Sequence, residues 1–71
     1  MSISSELRMR GFITEREVCD ILGVVQATLK LWRVKGSGPR YFKIGGRVLY
    51  RRDDLDAFIE RQARRSTSRA A

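Results

Sequence analysis

Histidine is absent from this chain, and cysteine and proline occur once each. Without histidine, and with a single thiol, there is no tetrahedral zinc site and no Cys-His or Ser-His-Asp arrangement. Cys19 alone cannot close an internal disulfide, which fits a reducing cytoplasm better than secretion. Apolar residues come only in short runs, so no segment reads as a membrane span. Met1 to Ser5 lack the apolar stretch of a signal peptide. Length excludes more. A chain of 71 residues has a marginal core and no room for a deep substrate pocket. The expectation is a non-enzyme with no cofactor, no metal and no small-molecule substrate.

What the chain does have is positive charge. Fifteen Lys and Arg stand against eight Asp and Glu, a formal net charge of +7. A basic domain of this size points to a polyanionic partner. The charge is unevenly placed. No acid occurs between Asp20 and Asp53, a stretch holding Lys30, Arg33, Lys35, Arg40, Lys43, Arg47, Arg51 and Arg52. Acids flank that window as Glu15, Glu17 and Asp20, then Asp53, Asp54, Asp56 and Glu60. Such a window predicts a surface of one sign. A second excess, Arg61, Arg64, Arg65 and Arg69, lies near the C-terminus.

Aromatic and branched residues concentrate between residues 12 and 59. The reading is a flexible segment at 1–11, a folded domain at 12–62 and a basic, disordered tail at 63–71. The tail has no large apolar residue to offset its ordering entropy. In the first segment, Ser4 or Ser5 can cap one short turn.

Inside the domain the local signals are specific. Thr14 and Glu17 form a capping-box pattern, with Ile13 and Val18 as a hydrophobic staple. Val18, Ile21 and Leu22 then share one helical face, and Gly23 supplies a left-handed stop. A second helix is expected over Gln26 to Val34, with Leu29 and Trp32 inward. Gly36-Ser37-Gly38-Pro39 ends it. Residues 40–51 read as a hairpin around Gly45-Gly46, whose type I′ turn requires positive φ at both positions. That turn pairs Ile44 with Arg47, Lys43 with Val48, Phe42 with Leu49 and Tyr41 with Tyr50. Both hairpin faces carry apolar groups, so the sequence leaves open which one packs inward. A third helix is expected from an Asp53 N-cap, with Leu55, Phe58 and Ile59 as its stripe.

Helix, tight turn, helix, two-stranded hairpin and capping helix make an α+β winged helix-turn-helix, a plan that suits duplex DNA. A helix of this length fits the major groove, where each base pair shows its own donor and acceptor pattern. The second helix offers Gln26, Ala27, Thr28, Lys30 and Arg33 as candidate contacts. Glutamine bonds adenine and lysine or arginine bonds guanine. The wing and its flanks offer Arg40, Lys43, Gly45, Gly46, Arg47 and Arg51 to a minor groove or to phosphates. Tyr41 and Tyr50 read as a structural cross-strand pair, Trp32 as core, and Cys19 as a small buried hydrophobe. Leu31, if exposed, hints at contact between adjacent subunits.

Three blocks, Phe12 to Val24, Thr28 to Arg33 and Gly36 to Ile59, together resemble the excisionase-type, MerR-related winged helix-turn-helix domain of phage and mobile-element proteins. The resemblance covers residues 12–60, with the blocks in the right order and spacing. It implies that the second helix reads the major groove and the hairpin reaches the minor groove. It also implies a non-catalytic role in excision or in mobile-element gene control. Excisionases of this kind bind tandem sites, bend the DNA and help an integrase engage it. The chain departs from the pattern at Val25, where Ser or Thr caps the recognition helix, at Leu31, and at Cys19 in place of alanine.

The first expectation is thus an excisionase, or recombination directionality factor, in the cytoplasm of a bacterial host. Its partners would be double-stranded DNA, an integrase, and further copies of itself on the DNA. No long coiled coil follows residue 60, which favours a monomer that oligomerises on DNA. A small transcriptional regulator of a prophage or mobile element would use the same surface. An RNA-binding or protein-binding adaptor is the remaining alternative. RNA modules, however, display aromatics for stacking on unpaired bases, and most of the six here look claimed by the core.

Overall fold

The computed structural model describes residues 3–70, with side chains described for residues 3–64. Seven elements follow in order: α1 (Ser5–Met9), β1 (Phe12–Thr14), α2 (Glu15–Leu22), α3 (Gln26–Lys35), β2 (Tyr41–Ile44), β3 (Arg47–Arg51) and α4 (Arg52–Ala70). The fold is α+β and has the form of a winged helix-turn-helix.

Local signals account for the helix-turn-helix. The Thr14 hydroxyl accepts from the Glu17 N–H at 3.1 Å, and the Glu17 carboxylate accepts from the Thr14 N–H at 2.8 Å. The capping box therefore starts α2. Gly23 ends it in the left-handed conformation, and the Val24 N–H reaches back to the Cys19 carbonyl. Two further residues lead to α3, whose N-cap, Val25, gives no side-chain hydrogen bond. Ile21 is more exposed than its helical face predicts, at 44%, while Val18 is fully buried and Leu22 packs on the core. The side chain at 21 lies at the edge of the buried stripe.

The hairpin register is the expected one at all four pairs. The sheet, however, has three strands in the order β1-β3-β2, with β1 antiparallel to β3 through Phe12↔Arg51, Ile13↔Tyr50 and Thr14↔Leu49. The extra strand resolves which hairpin face packs inward, because both do. Tyr50 joins Val18, Cys19, Leu29 and Leu55 in the main core, with Trp32 and Val48 packed against it. Leu49 points to the opposite face and is equally buried. There Phe12 and Phe42 meet across β3 in an edge-to-face pair, centroids 5.3 Å apart.

Three expected boundaries move. Residues 3–11 are part of the fold: Ser4 caps α1 through the Leu7 N–H, Ile3 is buried, and Arg8 pairs with Glu17 at 2.9 Å. One apolar side chain and one ion pair give that segment a fixed place. The last helix starts at Arg52, with Asp53 and Asp54 in its first turn rather than at the N-cap. The Arg52 N–H donates to the Gly11 carbonyl at 2.8 Å, so strand passes directly into helix. α4 also continues past residue 62, through Ala70. No Gly or Pro occurs after Asp53 to stop a nucleated helix, and Ala63, Arg64 and Arg65 are good helix formers. The side chains from residue 65 onward, on which the expected loose basic tail rests, lie outside the described residues.

Candidate nucleic-acid interface

α3 buries one side and presents the other. Leu29 is fully buried and Trp32 lies over Phe58, ring centroids 5.7 Å apart. Gly38 closes the loop behind that indole. Its φ is +84°, and a Cβ there would stand 2.9 Å from the Trp32 ring. Any side chain at 38 would be strained and would push on the indole.

Opposite Leu29, the exposed face carries Gln26, Ala27, Lys30, Leu31, Val34 and Lys35. Of the expected contacts, Gln26, Ala27 and Lys30 lie on this open side, and Thr28 is half-buried. Arg33 is placed differently. Its guanidinium turns inward, where it pairs with the Glu15 carboxylate and donates to the Tyr50 hydroxyl at 3.1 Å. Its side chain is only 16% exposed. Burial opposes its charge, but the bonds to Tyr50 and Glu15 outweigh that and raise its pKa. The Tyr50 hydroxyl is pushed up by burial, against the pull of Arg33. Arg33 is therefore a brace joining α2, α3 and β3, and the guanidinium that the sequence offered to a base is held by these two internal partners. Its partners lie 18 and 17 residues away, beyond any local pattern.

The hairpin stands beside α3. Lys30, Arg33, Val34, Tyr41, Lys43 and Val48 line a groove of about 250 Å³ between them. Three of these six are basic and none is acidic. Lys43 on β2 and Lys30 on α3 thus flank one shared opening. Val34 was missed as a lining residue, although its spacing from Ala27 and Leu31 is a helical signal. The tip, Gly45 and Gly46, is exposed and has positive φ at both positions, as the turn requires.

The remaining wing candidates sit apart from that groove. Arg47 is exposed and lines a larger recess of about 510 Å³ with Arg8, Arg16, Glu15, Glu17 and Asp20. Arg40 lies over Phe42 at 5.1 Å and Arg51 over Phe12 at 5.7 Å. Each exposed guanidinium therefore rests on one ring of the edge-to-face pair, which orients it without removing its donors. Arg61, which the sequence placed in the C-terminal basic excess and not among the DNA contacts, joins Arg33 and Arg40 around a third recess. Its signal was the i, i+3 spacing from Phe58, over whose ring it lies at 5.9 Å.

An exposed helix face and a basic hairpin on either side of one groove, joined through a tight turn to a supporting helix, define a winged helix-turn-helix domain. Duplex DNA is the partner such a domain takes. A family model described as a helix-turn-helix domain matches residues 12–63, and the chain belongs to that family. No curated protein matches the chain. Among the described residues, no helix is long and apolar enough to cross a membrane.

Proposed function

We propose that the protein is a non-catalytic excisionase, a recombination directionality factor that acts on DNA in a bacterial cytoplasm. It binds attachment-site DNA in tandem copies, bends it and assists an integrase. The observation that carries the DNA part is the shared groove with Lys30 on one wall and Lys43 on the other. A major-groove helix and an adjacent wing gripping the backbone are the parts a small DNA-bending module needs. The excision part rests on the likeness of residues 12–60 to the excisionase-type domain. A small transcriptional regulator would use the same surface, and the experiment separates the two.

That experiment is a gel-shift titration on attachment-site DNA from the host element, with and without its integrase. It is paired with an excision assay on the same DNA. An excisionase gives a ladder of complexes and integrase-dependent excision. A regulator gives a shift on promoter DNA and leaves excision unchanged. Binding falls steeply with salt in either case. Neutralising about five phosphates gives a log–log slope of about −4.5.

A further inference from the structure

Ala27, Leu31 and Val34 fall at i, i+4 and i+7 on α3 and form an apolar stripe along its exposed face. Leu31 is 49% exposed and Val34 is 78% exposed. The helix has no need of them for its core, which takes Leu29 and Trp32 from the other side. Both are larger and more apolar than a solvated helix face requires.

Charge decides what covers this stripe. Lys30 and Lys35 border it on the helix, and Val34 opens into the groove that also holds Lys30 and Lys43. No acid occurs in the chain from residue 21 to residue 52. A second copy docking face to face would bring these lysines against their counterparts, and like charges at a contact oppose association. A polyanion that also presents apolar groups fits both features. In the major groove of DNA, the one apolar group among the base edges is the 5-methyl of thymine.

We infer that Ala27, Leu31 and Val34 read thymine methyl groups in the major groove, giving the domain a preference for a thymine-containing core site. The inference rests on the DNA-binding reading above and deepens it. Ala27 to Val34 is seven residue steps, about 10 Å along the helix axis. That matches about three base steps at 3.4 Å each. The stripe therefore spans at most four consecutive pairs, and its three side chains meet at most three methyl groups. Lys30, on the same exposed side, sits within reach of a neighbouring guanine or phosphate.

The test starts from duplexes that the full chain itself enriches from a random library. Each enriched duplex is synthesised with thymine and again with uracil at single positions. Uracil removes the methyl and leaves the base pair and its hydrogen-bonding edge unchanged. One buried methyl is worth about 0.8 kcal/mol, so each sensitive thymine replaced by uracil weakens binding about fourfold. Sensitivity is expected at one to three adjacent positions. Leu31→Ala and Val34→Ala, both at exposed sites, keep the melting temperature of the parent. Each binds the thymine duplex more weakly and loses its response to uracil at one position. Equal affinity for thymine and uracil duplexes throughout the selected site overturns this inference and leaves the DNA reading standing. So does a pair of variants that alter only the cooperativity between copies, which assigns the stripe to a protein contact. Failure to enrich any duplex overturns both readings.

Discussion

The two helices of the helix-turn-helix end alike and begin differently. Gly23 and Gly36 each close a helix in the left-handed conformation, and the residue after each bonds back to the carbonyl five positions earlier. At the start, α2 has a complete capping box and two acids in its first turn. α3 has neither a side-chain cap nor an acid there. Its position comes from elsewhere, through Leu29 in the core, Trp32 against Phe58, and Arg33 tied to Glu15 and Tyr50. Local stabilisation would place Ser, Thr, Asp or Glu at the N-terminal end of α3. An acid there would repel phosphate. A helix held by its buried side keeps its open side free for the partner.

That contrast can be broken at several points. The largest effect is expected at Leu29. Leu29→Ala should cost about 2–5 kcal/mol in a urea titration, since a fully buried leucine leaves a cavity. Leu31→Ala, one face away, should change stability by less than about 0.5 kcal/mol. Comparable losses at the two sites would mean that α3 has no distinct inner and outer sides.

Arg33→Ala comes next, at about 1–3 kcal/mol, because it leaves the half-buried Glu15 carboxylate and the hydroxyl of the buried Tyr50 without their partner. Thermal melts in low and high salt measure it. A fully stable Arg33→Ala that still loses DNA would return this residue to the binding face.

The caps offer a smaller and opposite pair of changes. Thr14→Ala should destabilise by about 1 kcal/mol, and Val25→Ser should stabilise by up to about 1 kcal/mol. If Val25→Ser adds nothing, α3 is already held so firmly by its buried side that the cap is redundant.

Glu17 extends the same comparison to pH. The Thr14 N–H first, and Arg8 second, hold its carboxyl below the ordinary glutamate range. A depressed folded-state pKa gives stability that is complete above the unfolded value and is lost as pH falls through the folded one. The cap of α2 should therefore weaken in acid, in a window that Glu17→Gln removes from the stability–pH profile. Tyr50 acts at the other end. Its raised pKa gives stability that is present below the ordinary tyrosine value and lost as pH rises through the folded one.

Lys30→Ala should have the least effect on stability, since the side chain is exposed. If Lys30 meets a phosphate, the variant reduces the salt slope of DNA binding by about 0.9. An unchanged slope and unchanged affinity would remove Lys30 from the interface.

Much of this architecture could be read along the chain. Thr14 with Glu17, the Gly23 stop, the Leu29/Trp32 pair and the Gly45-Gly46 register all depend on residues within a few positions of one another, where propensity and spacing suffice. β1 escaped notice because it is three residues long and its last residue, Thr14, is also the N-cap of α2. Ile3 escaped because one apolar residue among polar neighbours has no period. Of the candidate contacts on α3, Gln26, Ala27 and Lys30 lie on the open side. Arg33 has the same chemistry on paper and a different fate in space.

The sequence alone determined the two helices of the helix-turn-helix, the turn between them, the hairpin register and the acid-free window, because caps, glycines and charge act over short distances. Tertiary structure decided which basic groups are free. Arg33 is spent on Glu15 and Tyr50, while Lys30 and Lys43 converge on one groove from elements far apart in the chain. Which way a basic side chain turns depends on its internal partners, and those partners are set by packing between distant segments.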